Sequence, residues 1–272
     1  MRDFTYTIIE KIEDYASLQL FTLDKENAMK KEMYKSMYET EDYHWYFKAK
    51  REIVLSILDK IVKENSKIID LGCGCGLMLS KLSRYGEVAG VDFSEEAIEY
   101  CRASFSGTLY QGDLESITLS EKYNYAVMLD VLEHIKDEER ALINIRNILQ
   151  KGGKLIITVP ADMRLWSKHD ENCMHYRRYD LKELESVLLK CGYSVNYISY
   201  YNSRLYPIVF IIRKVEKIFN IKNKGSHIEY GFKPGIINTI LYKVFFGEKK
   251  RILKGKKYHK GVSLICIAKR IG

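Results

Sequence analysis

One stretch constrains the fold of this chain more than any other. Residues 67–76 read Lys-Ile-Ile-Asp-Leu-Gly-Cys-Gly-Cys-Gly. Ile68, Ile69 and Leu71 form a short apolar run that suits a parallel strand buried on both faces. Gly72, Gly74 and Gly76 follow at alternate positions, where the missing Cβ permits positive φ and close approach of a ligand to the main chain. Leu77, Met78, Leu79 and Leu82 then supply the buried face of a helix. Strand, glycine turn and helix together open a doubly wound nucleotide-binding fold.

The loop chemistry narrows the ligand. A dinucleotide site wants glycine at the sixth loop position, where this chain has Leu77. A pyrophosphate favours nearby positive charge, yet the first basic side chain after the loop is Lys81, and an acid, Asp70, ends the strand. Such a site suits a ligand with cationic groups and no phosphate. The pattern Asp70-x-Gly72-x-Gly74-x-Gly76 resembles motif I of class I S-adenosylmethionine (SAM) methyltransferases. The resemblance implies that Gly72, Cys73, Gly74 and Gly76 wrap the methionine end of SAM, with Asp70 near its amino group. The other reading is a purely structural turn.

Further acids fall in register. Glu87–Val91 reads as a second strand ending at Asp92, at the spacing of about 20 residues where a carboxylate meets a ribose diol. Phe93 follows it, and Ser94 suits the N-cap of a helix over 95–103. Thr108–Gln111 is a third strand, followed by Gly112-Asp113-Leu114. The resemblance implies an acid facing the adenine amino group here, and a solvated turn aspartate is the alternative. Tyr123–Leu129 is the fourth strand, with Leu129 and Asp130 at its ligand-facing end. Leu132-Glu133-His134 is a run common in small-molecule members of the resembled family. His134 reads as a general base or as a satisfied histidine at a helix start. A helix over 137–149, closed by Gly152-Gly153, leads into a fifth strand over 154–159 ended by Pro160.

Residues 161–180 form a long polar loop that gathers Trp166, His169, Asp170, His175, Arg177, Arg178 and Tyr179. The run resembles the Trp-Ser-x-His-Asp and His-x-Arg-Arg-Tyr signatures of one bacterial methyltransferase subset. Trp166, His169, Arg177 and Arg178 are the substrate-binding candidates. Paired arginines suit an acceptor phosphate or carboxylate, or else anchor the loop through ion pairs. His175 and Tyr179 join His134 as catalytic candidates. No tight spacing such as His-x-x-x-His is present, so no metal is expected.

The stretch Asp42-Tyr43-His44-Trp45-Tyr46-Phe47 leads into an amphipathic helix and resembles the His-Trp-Trp-Phe-x-x-Arg-Arg opening of the same subset. This chain departs from it with Tyr46 and Lys50, so Arg51 is the candidate partner of the cofactor carboxylate. Tyr193–Tyr200 alternates as a sixth strand and 261–268 as the last. The resemblance implies a Rossmann-like seven-stranded sheet of order 3-2-1-4-5-7-6. The expected organisation is a helical cap over 1–60, a SAM-binding core over 61–200, a basic helical insert over 201–258 and a final strand over 259–272.

About 60 residues separate the last two strands, where a short hairpin would suffice. They read as two helices, roughly 205–219 and 236–250. Residues 201–272 carry 17 Lys and Arg against three Glu, while the preceding 200 residues carry 27 basic and 33 acidic groups. The insert is therefore either a lid on the core or an interfacial contact with anionic lipid through residues 205–258. Six cysteines without a Cys-x-x-Cys pair, no opening signal peptide and no apolar run near 20 residues suggest reduced thiols and a cytoplasmic location. The resulting expectation is a SAM-dependent methyltransferase that forms S-adenosylhomocysteine and acts on an O or N, less readily a C, of a small, sugar or lipid-linked acceptor carrying an anion. An RNA acceptor and a non-catalytic SAM-binding adaptor are the alternatives. The absence of an Asp/Asn-Pro-Pro-aromatic motif and of a Pro-Cys nucleophile argues against nucleic acid.

Overall fold

The structure, a computed structural model, describes residues 34–218 and 234–272. Most of the expected N-terminal helical region, and the middle of the insert, lie outside the described residues. Seven strands form one sheet of order β3-β2-β1-β4-β5-β7-β6: β1 (Ser66–Leu71), β2 (Gly86–Asp92), β3 (Thr108–Gln111), β4 (Tyr123–Leu129), β5 (Leu149–Pro160), β6 (Tyr193–Tyr201) and β7 (Ser263–Arg270). Neighbours from β3 across to β5 pair in parallel. β7 runs antiparallel between β5 and β6. This is the expected Rossmann-like order. The carboxyl ends of β1, β2 and β4 therefore share one edge, on either side of the point where the strand order reverses.

β5 differs from expectation at its start. Gly152 and Gly153 lie inside the strand and do not close the preceding helix. The helix Glu138–Ile148 is capped by Asp137, whose side chain accepts from the Arg140 amide. The chain then passes directly into Leu149, which pairs with Tyr123 across an irregularity in the register.

Helices cover both faces. On one side the helices Glu138–Ile148 and Leu181–Lys190 bury Leu142, Ile145, Leu184 and Leu188 against Met128, Ile157 and Cys266. On the other, the helix Trp45–Ile61 buries Ala49, Ile53, Val54, Ile57 and Leu58, a helical spacing that makes one apolar stripe. That stripe packs on Ile68, Val127, Ile156 and Ile265. Fully burying one such aliphatic side chain stabilises by roughly 1.5–3 kcal/mol, so this helix is a layer of the core itself. Phe245, from the helix Ile236–Phe246, joins the same cluster.

The expected helix over 236–250 is broken at Gly247, and a second helix spans Lys249–Leu253. The cause is Glu248, which turns inward. Its buried carboxylate accepts from the amides of Ser203 at 2.7 Å and Arg204 at 2.8 Å, satisfying the chain as it leaves β6. The helix Tyr206–Ile218 instead leaves Ile208, Ile211, Ile212, Val215 and Ile218 exposed. Among the described residues no helix is long and apolar enough to cross a membrane.

Candidate functional site

A cavity of about 1040 Å³ opens over the carboxyl ends of β1, β2 and β4. Its first half is the glycine loop. The amides of Gly72 and Cys73 donate to the carbonyl of Val91 at 2.8 and 2.9 Å, folding the loop back over β2. Gly72 has φ +72°, and a Cβ there would meet Val131 Cγ2 at 2.4 Å. Gly74 has φ +53°, and a Cβ would meet Met37 Cε at 2.4 Å. Gly72 is therefore fixed by conformation and by space, and Gly74 chiefly by conformation, since the Met37 methyl is the far end of a flexible side chain. Gly76 does not line the cavity; it enters the helix Leu77–Leu82 in the left-handed conformation.

Three acids surround this loop. Asp70 and Asp92 are buried at the ends of adjacent strands. Burial, then the charges of Asp92 and Glu41, push the Asp70 carboxyl up to about 7. Burial likewise raises Glu41 to about 7, against the opposing charges of Arg51 and Lys50. Burial also raises Asp92, although Oδ2 accepts from the Gly74 amide at 2.8 Å and Oδ1 from the Ser94 amide at 2.9 Å. Acids crowded in a desolvated pocket favour whatever positive charge can enter it. Cys73, Phe93, Asp113, Leu114, Leu129 and Arg51 line the same cavity. Phe93 is strongly exposed at its edge, and Asp113 Oδ1 accepts from the Glu115 amide at 2.8 Å. Arg51 donates to the carbonyl of Glu41 at 2.9 Å and pairs with Asp42 at 3.3 Å.

Asp130 lines the cavity, but its carboxylate is turned to the protein. Oδ2 accepts from Lys50 Nζ at 2.8 Å and Tyr46 OH at 2.9 Å, and Oδ1 from Thr158 Oγ1 at 2.7 Å. Burial opposes ionisation, yet Lys50 outweighs it and Asp130 is held below the usual carboxylate range. Arg51, the expected partner of the cofactor carboxylate, lines the cavity. Lys50, one position earlier, is the residue that reaches the sheet.

The other half of the cavity holds Glu133, His134, His169 and His175. Glu133 and His134 sit on a 3₁₀ turn after β4 (Leu132–His134). The His134 and His175 rings meet edge to face with centroids 4.6 Å apart. Desolvation and the facing His175 hold the His134 imidazole down at about 4. His175 is oriented from behind by Asp170, a fully buried carboxylate, through a 3.0 Å contact at Nδ1. The same Asp170 oxygen accepts from Arg178 Nε at 2.7 Å, and Arg178 Nη1 reaches the Ala161 carbonyl at 3.2 Å. Burial opposes ionisation of Asp170, but the His175 contact and the Arg178 charge drive it well below the ordinary range. Asp170 also closes a capping box with Ser167, which fixes the short helix Lys168–Asn172.

Besides Gly76, three expected site residues lie elsewhere. Tyr179 is buried in the core with its hydroxyl donating to Glu138, and it does not line the cavity. Arg177 pairs with the same Glu138 at 3.0 Å and donates to the Lys136 carbonyl at 2.8 Å, also outside the cavity. Trp166 ends the 3₁₀ turn Met163–Leu165 and does not line the cavity either. Arg178 does line it, but as the partner of Asp170. Glu133 and Lys50 went unassigned in the sequence because their roles depend on burial, which the local pattern does not report.

Comparison with known proteins places these features in context. Residues 43–198 match a family model described as a methyltransferase domain. A ubiquinone biosynthesis O-methyltransferase from Coxiella burnetii (strain RSA 331 / Henzerling II) is 27% identical over 153 residues, covering 50% of this chain and 64% of that protein. The juvenile hormone acid O-methyltransferase of Bombyx mori is 32% identical over 107 residues, 35% of this chain and 38% of that protein. The chain thus spans less than two thirds of the length of these relatives. Among solved structures, a complex of the Haloferax volcanii Trm112 methyltransferase activator with a methyltransferase covers 88% of this chain and 94% of the matched chain, with a TM-score of 0.58 at 15% identity.

Proposed function

The chain belongs to the methyltransferase domain family, and on that premise we propose that it transfers a methyl group from SAM to an oxygen of a small-molecule acceptor. The observation that carries the reading is the pairing of a cation-favouring glycine loop with a polar, histidine-bearing chamber in one cavity. Asp70 takes the ammonium of the cofactor, Asp92 the ribose hydroxyls, and Arg51 the carboxylate. Phe93, Asp113 and Leu114 would hold the adenine, and Leu129 lines the same cavity.

The chemistry follows from alignment. The acceptor oxygen attacks the methyl carbon in line with the breaking C–S bond, whose electron pair returns to sulfur to give neutral S-adenosylhomocysteine. The acceptor proton must leave. His175 is the base for it: it lines the cavity, and Asp170 engages its Nδ1. His134 and His169 line the acceptor chamber beside it. Oxygen is favoured over nitrogen because the two curated relatives are named O-methyltransferases.

The acceptor's class has its own support. The insert leaves Ile208, Ile211, Ile212, Ile236, Ile237 and Ile240 exposed beside many basic groups. A lipid-linked acceptor at an anionic bilayer surface suits that combination. The test is incubation with labelled SAM and fractionated cell extract. Label entering a lipid-soluble or small-molecule fraction supports the reading. Label confined to RNA, with strongly salt-dependent RNA binding, would replace it with the nucleic-acid alternative.

A further inference from the structure

We propose that Glu133, His134 and His175 form a binding site for one divalent first-row transition ion, of the zinc type, in the acceptor half of the cavity. The proposal rests on the methyl-transfer reading only for the ion's role, not for its binding.

Glu133 is the starting point. It is 1% exposed, lines the cavity, and its Oε2 has no hydrogen-bond partner. A buried carboxyl oxygen without a partner is costly as a charge, so the group either stays protonated or meets a cation. Among the described residues no basic side chain meets it. Lys50 is bound to Asp130 and Arg178 to Asp170. Two imidazoles stand beside the carboxylate instead, and one donor atom from each of the three residues lies within 4.8 Å of the others. Ligands bound at about 2.0–2.2 Å around a tetrahedral ion stand about 3.4 Å apart, so rotations of roughly an ångström complete the set.

The surroundings favour the same conclusion. A metal-ligating histidine usually presents its other ring nitrogen to a carboxylate, which fixes the tautomer. His175 does this with Asp170, itself held by Arg178. Two imidazoles and one carboxylate suit zinc, iron, cobalt or nickel, whereas calcium and magnesium prefer all-oxygen shells. Three protein ligands leave coordination positions open toward the cavity. An acceptor hydroxyl taking one of them would lose its proton to solvent more readily and attack the methyl group as a bound oxyanion. His134 and His175 then act through the ion, and His175 serves as the base only when the site is empty.

The test uses the untagged 272-residue chain, stripped with chelator and titrated calorimetrically with Zn²⁺, with Co²⁺ as an absorbing substitute. One ion per chain is expected, with cobalt absorption typical of a nitrogen- and oxygen-ligated centre. Glu133→Gln and His175→Ala should abolish the signal, Asp170→Asn should weaken affinity about 10–100-fold, and His259→Ala, at an exposed position, should leave it unchanged. SAM binding by each variant reports that it has folded. No uptake by the wild type, or unchanged uptake by Glu133→Gln or His175→Ala, would overturn the site. Metal uptake without SAM binding would contradict the methyl-transfer reading alone, and SAM binding without metal uptake would remove the ion alone.

Discussion

His175 and Asp170 stand 3.0 Å apart, and the Asp170 oxygen that meets His175 Nδ1 also accepts from Arg178 at 2.7 Å. One buried carboxylate therefore holds both a cation and an imidazole. His175→Ala should lower kcat by about 10²–10⁴ while changing SAM affinity less than twofold. Asp170→Asn should lower kcat in the same direction. It should also cost about 3–5 kcal/mol of stability, since the Arg178 guanidinium is left buried without its counterion. Thermal or denaturant unfolding separates the two effects, because His175→Ala should melt close to the wild type.

Lys50 and Asp130 make a second test of buried charge. Lys50 ties the helix Trp45–Ile61 to the turn after β4, where Asp130 also takes hydrogen bonds from Tyr46 and Thr158. Lys50→Ala should destabilise by about 3–5 kcal/mol, and Lys50→Met with Asp130→Asn should recover much of that loss. Asp130 has a depressed folded value, so its contribution is present above the unfolded carboxylate range and fades as pH falls below it. The penalty of Lys50→Ala should shrink on acidification, as measured by urea unfolding at several pH values.

Burial, then Asp92 and Glu41, place Asp70 at about 7, and Glu41 is at about 7 as well. These acids bind protons more readily folded than unfolded. Between about pH 4 and 7 the ligand-free protein should therefore lose stability as pH rises. SAM affinity should move the opposite way, because the ionised form attracts the cationic cofactor. Calorimetry should show affinity rising from pH 6 to 8 by up to about tenfold per pH unit below 7 for one group. Asp70→Asn should flatten the dependence.

The glycine loop gives a steric prediction. Gly74→Ala puts a methyl group 2.4 Å from Met37 Cε at a φ of +53°. Left-handed backbone costs an L-residue about 1–2 kcal/mol. SAM affinity should fall by at least about tenfold, with a smaller loss when Met37→Ala is added. Equal loss in the single and double variants would mean that backbone strain, not the contact, is responsible.

The individual strands and the glycine loop were legible from the residues because their signals are local, whereas the sheet order, a pairing of distant segments, followed only from the family resemblance. Apolar runs at 68–71 and 123–129 mark buried strands, and Asp70 and Asp92 end theirs at a recognisable spacing. The acceptor half was legible only in part. The loop over 161–180 divides its polar residues between two environments. His175 and Arg178 turn into the cavity, while Arg177 and Tyr179 meet Glu138 behind it. Adjacent positions on an irregular loop have no fixed period, so nothing in the sequence assigns their directions. Glu133 was hidden for the same reason: its burial arises from the turn after β4 closing against the loop, whose Tyr176 amide donates to the Glu133 carbonyl at 2.8 Å.

The most direct measurement is calorimetric titration of the purified 272-residue chain with SAM and, separately, with NAD. A single SAM site of about micromolar affinity, weakened in Asp70→Asn and in Asp92→Asn, with no heat from NAD, is the predicted result. Binding of NAD with none of SAM would contradict the account at its root.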